Sequence, residues 1–205
     1  LYDYLLGGGH NFAADRALAE KFLQAQPHAR TVARLNRAFL RRAVLFMVDQ
    51  GIRQFLDLGS GIPTVGNVHE IAQSARPGAR VMYVDHDPVA VAHSQAVLEG
   101  NEDTDVLAAD LLKPQEILSN PQVQRLIDLN RPVALLLVAI LHFVEDADDP
   151  YRAVAELRDA LAPGSLLVVT HASYEGIPLP QERAEGTVDV YKNIRNPLIM
   201  RSREE

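Results

Sequence analysis

The stretch that decides the fold is QFLDLGSGIPT, Gln54–Thr64. An apolar run carries an acid, Asp57, and leads into two glycines one residue apart, Gly59 and Gly61, and then Pro63. Such a run reads as a buried strand entering a turn that holds a nucleotide against backbone N–H groups. A dinucleotide fingerprint, G-x-G-x-x-G, wants a third glycine where Thr64 stands, and Pro63 removes an N–H near the helix start. Both features speak against a bound pyrophosphate. A P-loop is excluded more firmly, because no Lys-Ser/Thr pair follows.

Outward from this turn, strands alternate with helices. Upstream, residues 12–25 and 29–49 have helical periodicity, and Val32, Leu35, Phe39, Ala43 and Phe46 make one face of the second helix apolar. Gly51 stops it. Strands are predicted at Arg53–Leu58, Arg80–Asp85, Thr104–Asp110, Pro132–Ala139 and Gly164–Ala172. Helices are predicted at Val68–Ala75, in PVAVAHSQAVL from Pro88, through Ile117–Ile127 and at Tyr151–Leu161. The alternation implies an α/β fold: a Rossmann-like, doubly wound, mostly parallel sheet with helices on both faces and an N-terminal helical extension. Residues 1–50 then form a helical cap or lid, and residues 51–205 the cofactor-binding core. Beyond Ala172 a helix is expected near Glu182–Asn193, and NPLIMRSREE reads as the start of another.

Composition narrows the function. The 205 residues are 47% apolar and 23% charged, an ordinary globular balance with room for a core. The longest apolar run, Val133–Val144, is shorter than the ~18 residues of a membrane span. No membrane is therefore an expected partner, and a formal charge of −7 suits a phosphate backbone poorly, so no nucleic acid is expected either. The chain has no cysteine, which removes disulfides, thiolate metal sites and cysteine nucleophiles. Its seven histidines show no H-x-x-x-H spacing, and no metal is expected. No signal peptide is visible, although the chain begins at Leu1 without a methionine, and a cytoplasmic location is expected.

In such sheets ligands bind at the carboxyl ends of the strands. Aspartates stand at three consecutive strand ends: Asp57, Asp85 and Asp110. A nucleoside without phosphate answers this pattern better than a dinucleotide, and S-adenosylmethionine is such a ligand. Asp57 would attract its methionine ammonium. Gly59, Ser60 and Gly61 would let backbone approach it. Asp85 would accept both ribose hydroxyls, Asp110 the adenine amino group, and the Leu111 N–H would donate to an adenine ring nitrogen. Adenine would lie between the side chains of His86 and Leu111, with Ala139 at the fourth strand end completing the cofactor set. His142 and His171, after the fourth and fifth strands, are candidate general bases or else pocket walls. Asp87 reads as a helix cap, His69 as structural, and Arg30, Arg34, Arg37 and Arg41 as a solvated stripe.

FLDLGSGIP, VMYVDHDP, AADLLKP, ILHFVED and LAPGSLLVVTH resemble the successive motifs of class I S-adenosylmethionine-dependent methyltransferases. YDYLLGGGHNFAADR, NRAFLRRAV and NVHEIAQ resemble one uncharacterised bacterial family of that class, long filed as a domain of unknown function. The resemblance implies seven strands, so two would lie beyond this chain. It also implies the cofactor but no substrate.

Three functions follow. The first is methyl transfer from S-adenosylmethionine to an O, N or C nucleophile of a small molecule. The sulfonium is already electrophilic, so the protein must mainly align the partners and exclude water. The second is a nucleoside-binding regulatory module without turnover. The third, disfavoured by Pro63, is a nicotinamide-dependent reductase. The glycines Gly7–Gly9, ringed by Tyr2, Tyr4 and Phe12 and anchored by Asn11 as a helix cap, are read as the joint of a lid, with a plain packing arm as the rival.

Overall fold

All five expected strands form, each within two residues of its expected ends: β1 (Gln54–Leu58), β2 (Arg80–Asp85), β3 (Thr104–Ala108), β4 (Ala134–Val138) and β5 (Leu166–Thr170). The computed structural model describes residues 2–9, 11–63, 66–173, 175, 198–202 and 204. The strands make one parallel sheet in the order β3-β2-β1-β4-β5. The order reverses at β1, which is buried along its whole length. A strand buried on both faces reads as an unbroken apolar run. The exception at its entry is Gln54, whose Nε2 donates to the carbonyls of Asp128 (2.6 Å) and Arg131 (3.1 Å) while its Oε1 accepts from the Asp128 N–H (3.0 Å).

Helices cover both faces. On one, α3 (Ala29–Asp49), α4 (Val68–Ala75) and α5 (Pro88–Leu98) bury Phe55, Val81 and Leu136. On the other, α6 (Pro114–Leu118), α7 (Pro121–Leu126) and α8 (Pro150–Asp159) bury Leu56, Met82 and Leu135. The single helix expected through Ile117–Ile127 is therefore two, because Pro121 lacks the N–H needed to continue a helix and starts a new one capped by Asn120.

The expected apolar face of α3 is corrected. Its buried residues are Ala29, Ala33, Leu40, Val44, Met47 and Val48, whereas Val32, Leu35, Phe39 and Phe46 are exposed. The helix has two apolar stripes, and the one carrying the alanines is the buried one. Before it lie α1 (Tyr2–Leu6) and α2 (Ala13–Ala25). The glycines after α1 are a helix end rather than a loose joint. Gly7, at φ 85°, and Gly8 donate to the carbonyls of Tyr4 and Asp3, and a Cβ on Gly8 would strike the Asp3 carboxylate at 1.9 Å. The α2 backbone begins with the Arg16 N–H donating to the Phe12 carbonyl, which puts Phe12 rather than Asn11 at the cap position. The Asn11 amide donates to Asp3 Oδ2 and to the Gly8 carbonyl, each at 2.8 Å. Tyr2 ties the segment to α3 by donating to the Ala33 carbonyl (3.2 Å), and Arg30 stacks on Tyr4. The helix expected at Glu182–Asn193 lies outside the described residues. Residues 198–202, expected to begin a helix, are irregular. No helix among the described residues is long and apolar enough to cross a membrane.

Candidate functional site

The carboxyl ends of the strands gather the residues singled out from the sequence. Asp57 shares a sheet face with Phe55 and lies in register with Tyr83 of β2 and Leu136 of β4. It is only 8% exposed. Burial pushes its carboxyl up to about 7, against a downward pull from the Arg37 guanidinium and a smaller upward push from Asp85. Desolvation disfavours the charged form, and the guanidinium answers only part of that cost.

The two glycines of the turn have different tasks. Gly59, at φ 70°, has no room for a side chain, because a Cβ would meet the Ile140 side chain at 2.2 Å. It lets the turn close against the loop after β4. Gly61, at φ 67°, faces open space where a Cβ would stand. Between them, the Ser60 hydroxyl is buried with no hydrogen-bond partner. A narrow cleft opens there, lined by Arg37, Asp57, Ser60, Gly61, Asn67 and Tyr83 among others.

Asp85 is buried, and its two oxygens accept from the N–H groups of Gly61 (2.7 Å) and Asp87 (2.9 Å). It thus couples the turn after β1 to the turn after β2, and each oxygen keeps a second lone pair. Asp87 caps α5 by accepting from the Val89 N–H at 2.8 Å, as its place before Pro88 suggested. Asp110 accepts from the Leu112 N–H (3.0 Å), and among the described residues the Leu111 N–H has no acceptor. The Leu111 side chain is buried, in the core cluster that also holds Leu56 and Met82, and His86 is exposed.

Ala139, just after β4, has φ 58°, uncommon for a residue with a side chain. Its N–H donates to Thr170 Oγ1 (2.9 Å), which holds the bend in place. A 3-10 turn, Leu141–Phe143, follows. His142 there is kept neutral: burial, with the nearby His171 and Arg201, pushes it down to about 3. Its Nδ1 is buried without a partner. The His171 ring stands perpendicular to it at 5.6 Å. His171 is engaged at both nitrogens, Nδ1 with the Ala172 carbonyl (2.7 Å) and Nε2 with the Arg201 guanidinium (2.9 Å). A carbonyl can only accept and a guanidinium only donate, so Nδ1 carries the proton and Nε2 has given its lone pair to Arg201. That leaves His171 no free site to take a proton from a substrate.

Sequence reasoning missed two residues here. Arg201 is buried and donates to the carbonyls of Leu141 (3.0 Å) and Val144 (2.8 Å) and to Asp146, fixing the loop after β4. Arg37 was grouped with Arg34 and Arg41, which are exposed, whereas it lines the cleft. The signal was present: Arg37 lies four residues after Ala33 and three before Leu40, on the buried face of α3. His69 is structural as expected. Its N–H donates to the Tyr83 hydroxyl (2.9 Å), which is also 2.8 Å from its Nδ1. No group of side chains among the described residues could hold a metal ion.

A parallel sheet that reverses at β1, with a Gly-x-Gly turn after that strand and acids after the next two, defines the class I methyltransferase fold. The chain belongs to the S-adenosyl methyltransferase family, whose profile matches residues 1–205. A candidate methyltransferase from Thermobifida fusca YX is 44% identical, with TM-score 0.91 over 99% of this chain and 75% of its own. A DUF574 family protein from Streptomyces avermitilis MA-4680 is 38% identical, with TM-score 0.92 over 99% of this chain and 78% of its own. The plantazolicin methyltransferase BpumL, solved in complex with SAH, shares the fold at 12% identity, with TM-score 0.52 over 92% of this chain and 65% of its own. No curated protein matches the chain. The protein is an S-adenosylmethionine-dependent methyltransferase. Its residues fit that cofactor: an unpartnered buried hydroxyl at Ser60, open space at Gly61, a free N–H at Leu111 and acids at the strand ends.

Proposed function

We propose that the protein methylates an oxygen, nitrogen or carbon nucleophile of a small-molecule acceptor, presented at the ends of β4 and β5. The observation that carries this reading is the edge formed by strained Ala139 and by His142, whose buried Nδ1 has no partner, beside the turn that fits the cofactor. The net charge of −7 supports a small acceptor over a nucleic acid.

When bound, the cofactor supplies an electrophilic methyl group on a sulfonium. The chain's part is to hold and shield. Asp85 keeps a lone pair on each oxygen for the ribose hydroxyls. Asp110 and the Leu111 N–H address the adenine edge, with exposed His86 on one face. Gly61, Ser60 and Asp57 receive the methionine end, and Gly59 sets the turn by yielding space to Ile140. Ala139 closes the set at β4. His142 stays neutral near pH 7 and can accept a hydrogen bond from the acceptor, but as an equilibrium base it is weak. His171 positions the wall beside it. Residues 1–50 act as a helical cap on a core of residues 51–205. The ties of α1 to α3 favour a packed arm over a mobile lid.

Two measurements test this. Calorimetry should find S-adenosylhomocysteine binding without NAD or NADP binding; the reverse preference would end the reading. Incubation with S-adenosylmethionine and pooled small metabolites should release S-adenosylhomocysteine. Release only with protein or nucleic acid added would refute the small acceptor.

A further inference from the structure

We propose that Arg37 on α3 receives the carboxylate of the cofactor's methionine end, opposite Asp57, which receives the ammonium. The assignment rests on the reading that the Gly61 cleft takes that end of the cofactor.

An amino-acid end is zwitterionic, so a partly enclosed cleft must present one charge of each sign. Transferring either charge from water without a partner is costly. Asp57 supplies the anion. Arg37 is the permanent cation among the residues lining the cleft. Its charge is felt at the Asp57 carboxyl and the Tyr83 hydroxyl, and it draws both back toward their ordinary range against burial. The helix aims it inward. Ala33, Leu40, Val44 and Met47 are buried on the same side of α3, which fixes the rotation and turns position 37 toward the sheet edge. Arg34 and Arg41, on the neighbouring positions, stay in solvent. A guanidinium has five donors in a planar fork, so it can serve Asp57 and a ligand carboxylate together, which a lysine ammonium does less well. The Ser60 hydroxyl, buried without a partner on the same cleft, offers a further donor.

The arrangement gives the N-terminal helices a task that the parallel sheet alone does not need. It makes α3 the element that separates amino-acid-bearing nucleosides from nucleosides lacking that end.

The test compares S-adenosylhomocysteine with its decarboxylated analogue, two ligands that differ by the carboxylate alone. Calorimetry on the parent, Arg37→Met and Arg37→Lys would give affinities, with thermal melts checking that each variant folds. A charge-assisted contact predicts that the parent prefers the carboxylate form by about 10–100-fold. Arg37→Met should lose about that factor for S-adenosylhomocysteine and almost none for the decarboxylated ligand. Arg37→Lys should recover part of the preference. Equal weakening toward both ligands would make Arg37 a structural residue and overturn the assignment. So would a preference that survives Arg37→Met, or one that is absent from a well-folded parent and Arg37→Lys alike. A parent that binds neither ligand would remove the cofactor reading itself, and the assignment with it.

Discussion

Replacing Asp57 with asparagine imitates the protonated carboxyl permanently, so it isolates what the buried charge costs the fold. The side chain is 8% exposed, and its ordinary value of 3.8 is pushed up to about 7, chiefly by burial. The sign follows from which state holds the proton more tightly. Below pH 3.8 both the folded and the unfolded chain are protonated, and the group costs nothing. Between 3.8 and about 7 the unfolded chain has released the proton while the fold retains it, so stability falls as pH rises. Above that window the loss is complete. At about 1.4 kcal/mol per pH step, the full window amounts to about 4 kcal/mol. Arg37, Asp85 and Tyr83 face the same group, and the first two already enter the balance. Asp57→Asn should therefore match the parent near pH 4 and exceed it by up to about 4 kcal/mol at pH 8. Urea unfolding of both proteins at intervals from pH 4 to 8 gives the difference directly, because titrating groups remote from Asp57 cancel and its neighbour Asp85 adds only the smaller coupling. A difference that stays flat, or that favours the parent as pH rises, would refute the argument and mean that Arg37 fully compensates the carboxylate.

Gly59→Ala should destabilise by about 2–4 kcal/mol, combining the collision with Ile140 and the left-handed backbone, and Ile140→Ala in the same chain should recover only the collision part in chemical denaturation. Tyr83→Phe leaves the buried His69 N–H without its acceptor and should cost about 1–3 kcal/mol, with the His69 ring resonances moving in an NMR spectrum; an unchanged midpoint would deny the bond. Asp85→Ala should weaken S-adenosylhomocysteine by about ten- to a hundredfold in calorimetry, and parental affinity would remove Asp85 from the ribose.

The sheet was readable because its signals are local. Apolar runs such as Val133–Val138 and the glycines after β1 announce themselves within a few residues, and Asp85 and Asp110 follow from strand ends alone. The face of α3 was not readable. Periodicity reports that a stripe exists, but both stripes of this helix are apolar, and only the packing partners choose between Leu40 and Phe39. Arg201 had no local signal, since its partners Leu141 and His171 lie 60 and 30 positions away. The base role imagined for His171 fails on that contact.

Arg201 also bears on the order in which the protein assembles. Its bonds to residues 141, 144, 146 and 171 close long loops, so they come late, after the ladders of β1 with β2 and of β2 with β3 have joined residues much nearer in sequence. During synthesis the loop after β4 must wait until residue 201 has emerged before it can be fastened. The half of the site read here as the acceptor's is thus the last to harden, and its guanidinium clasp belongs to those interactions that slow unfolding without hastening folding.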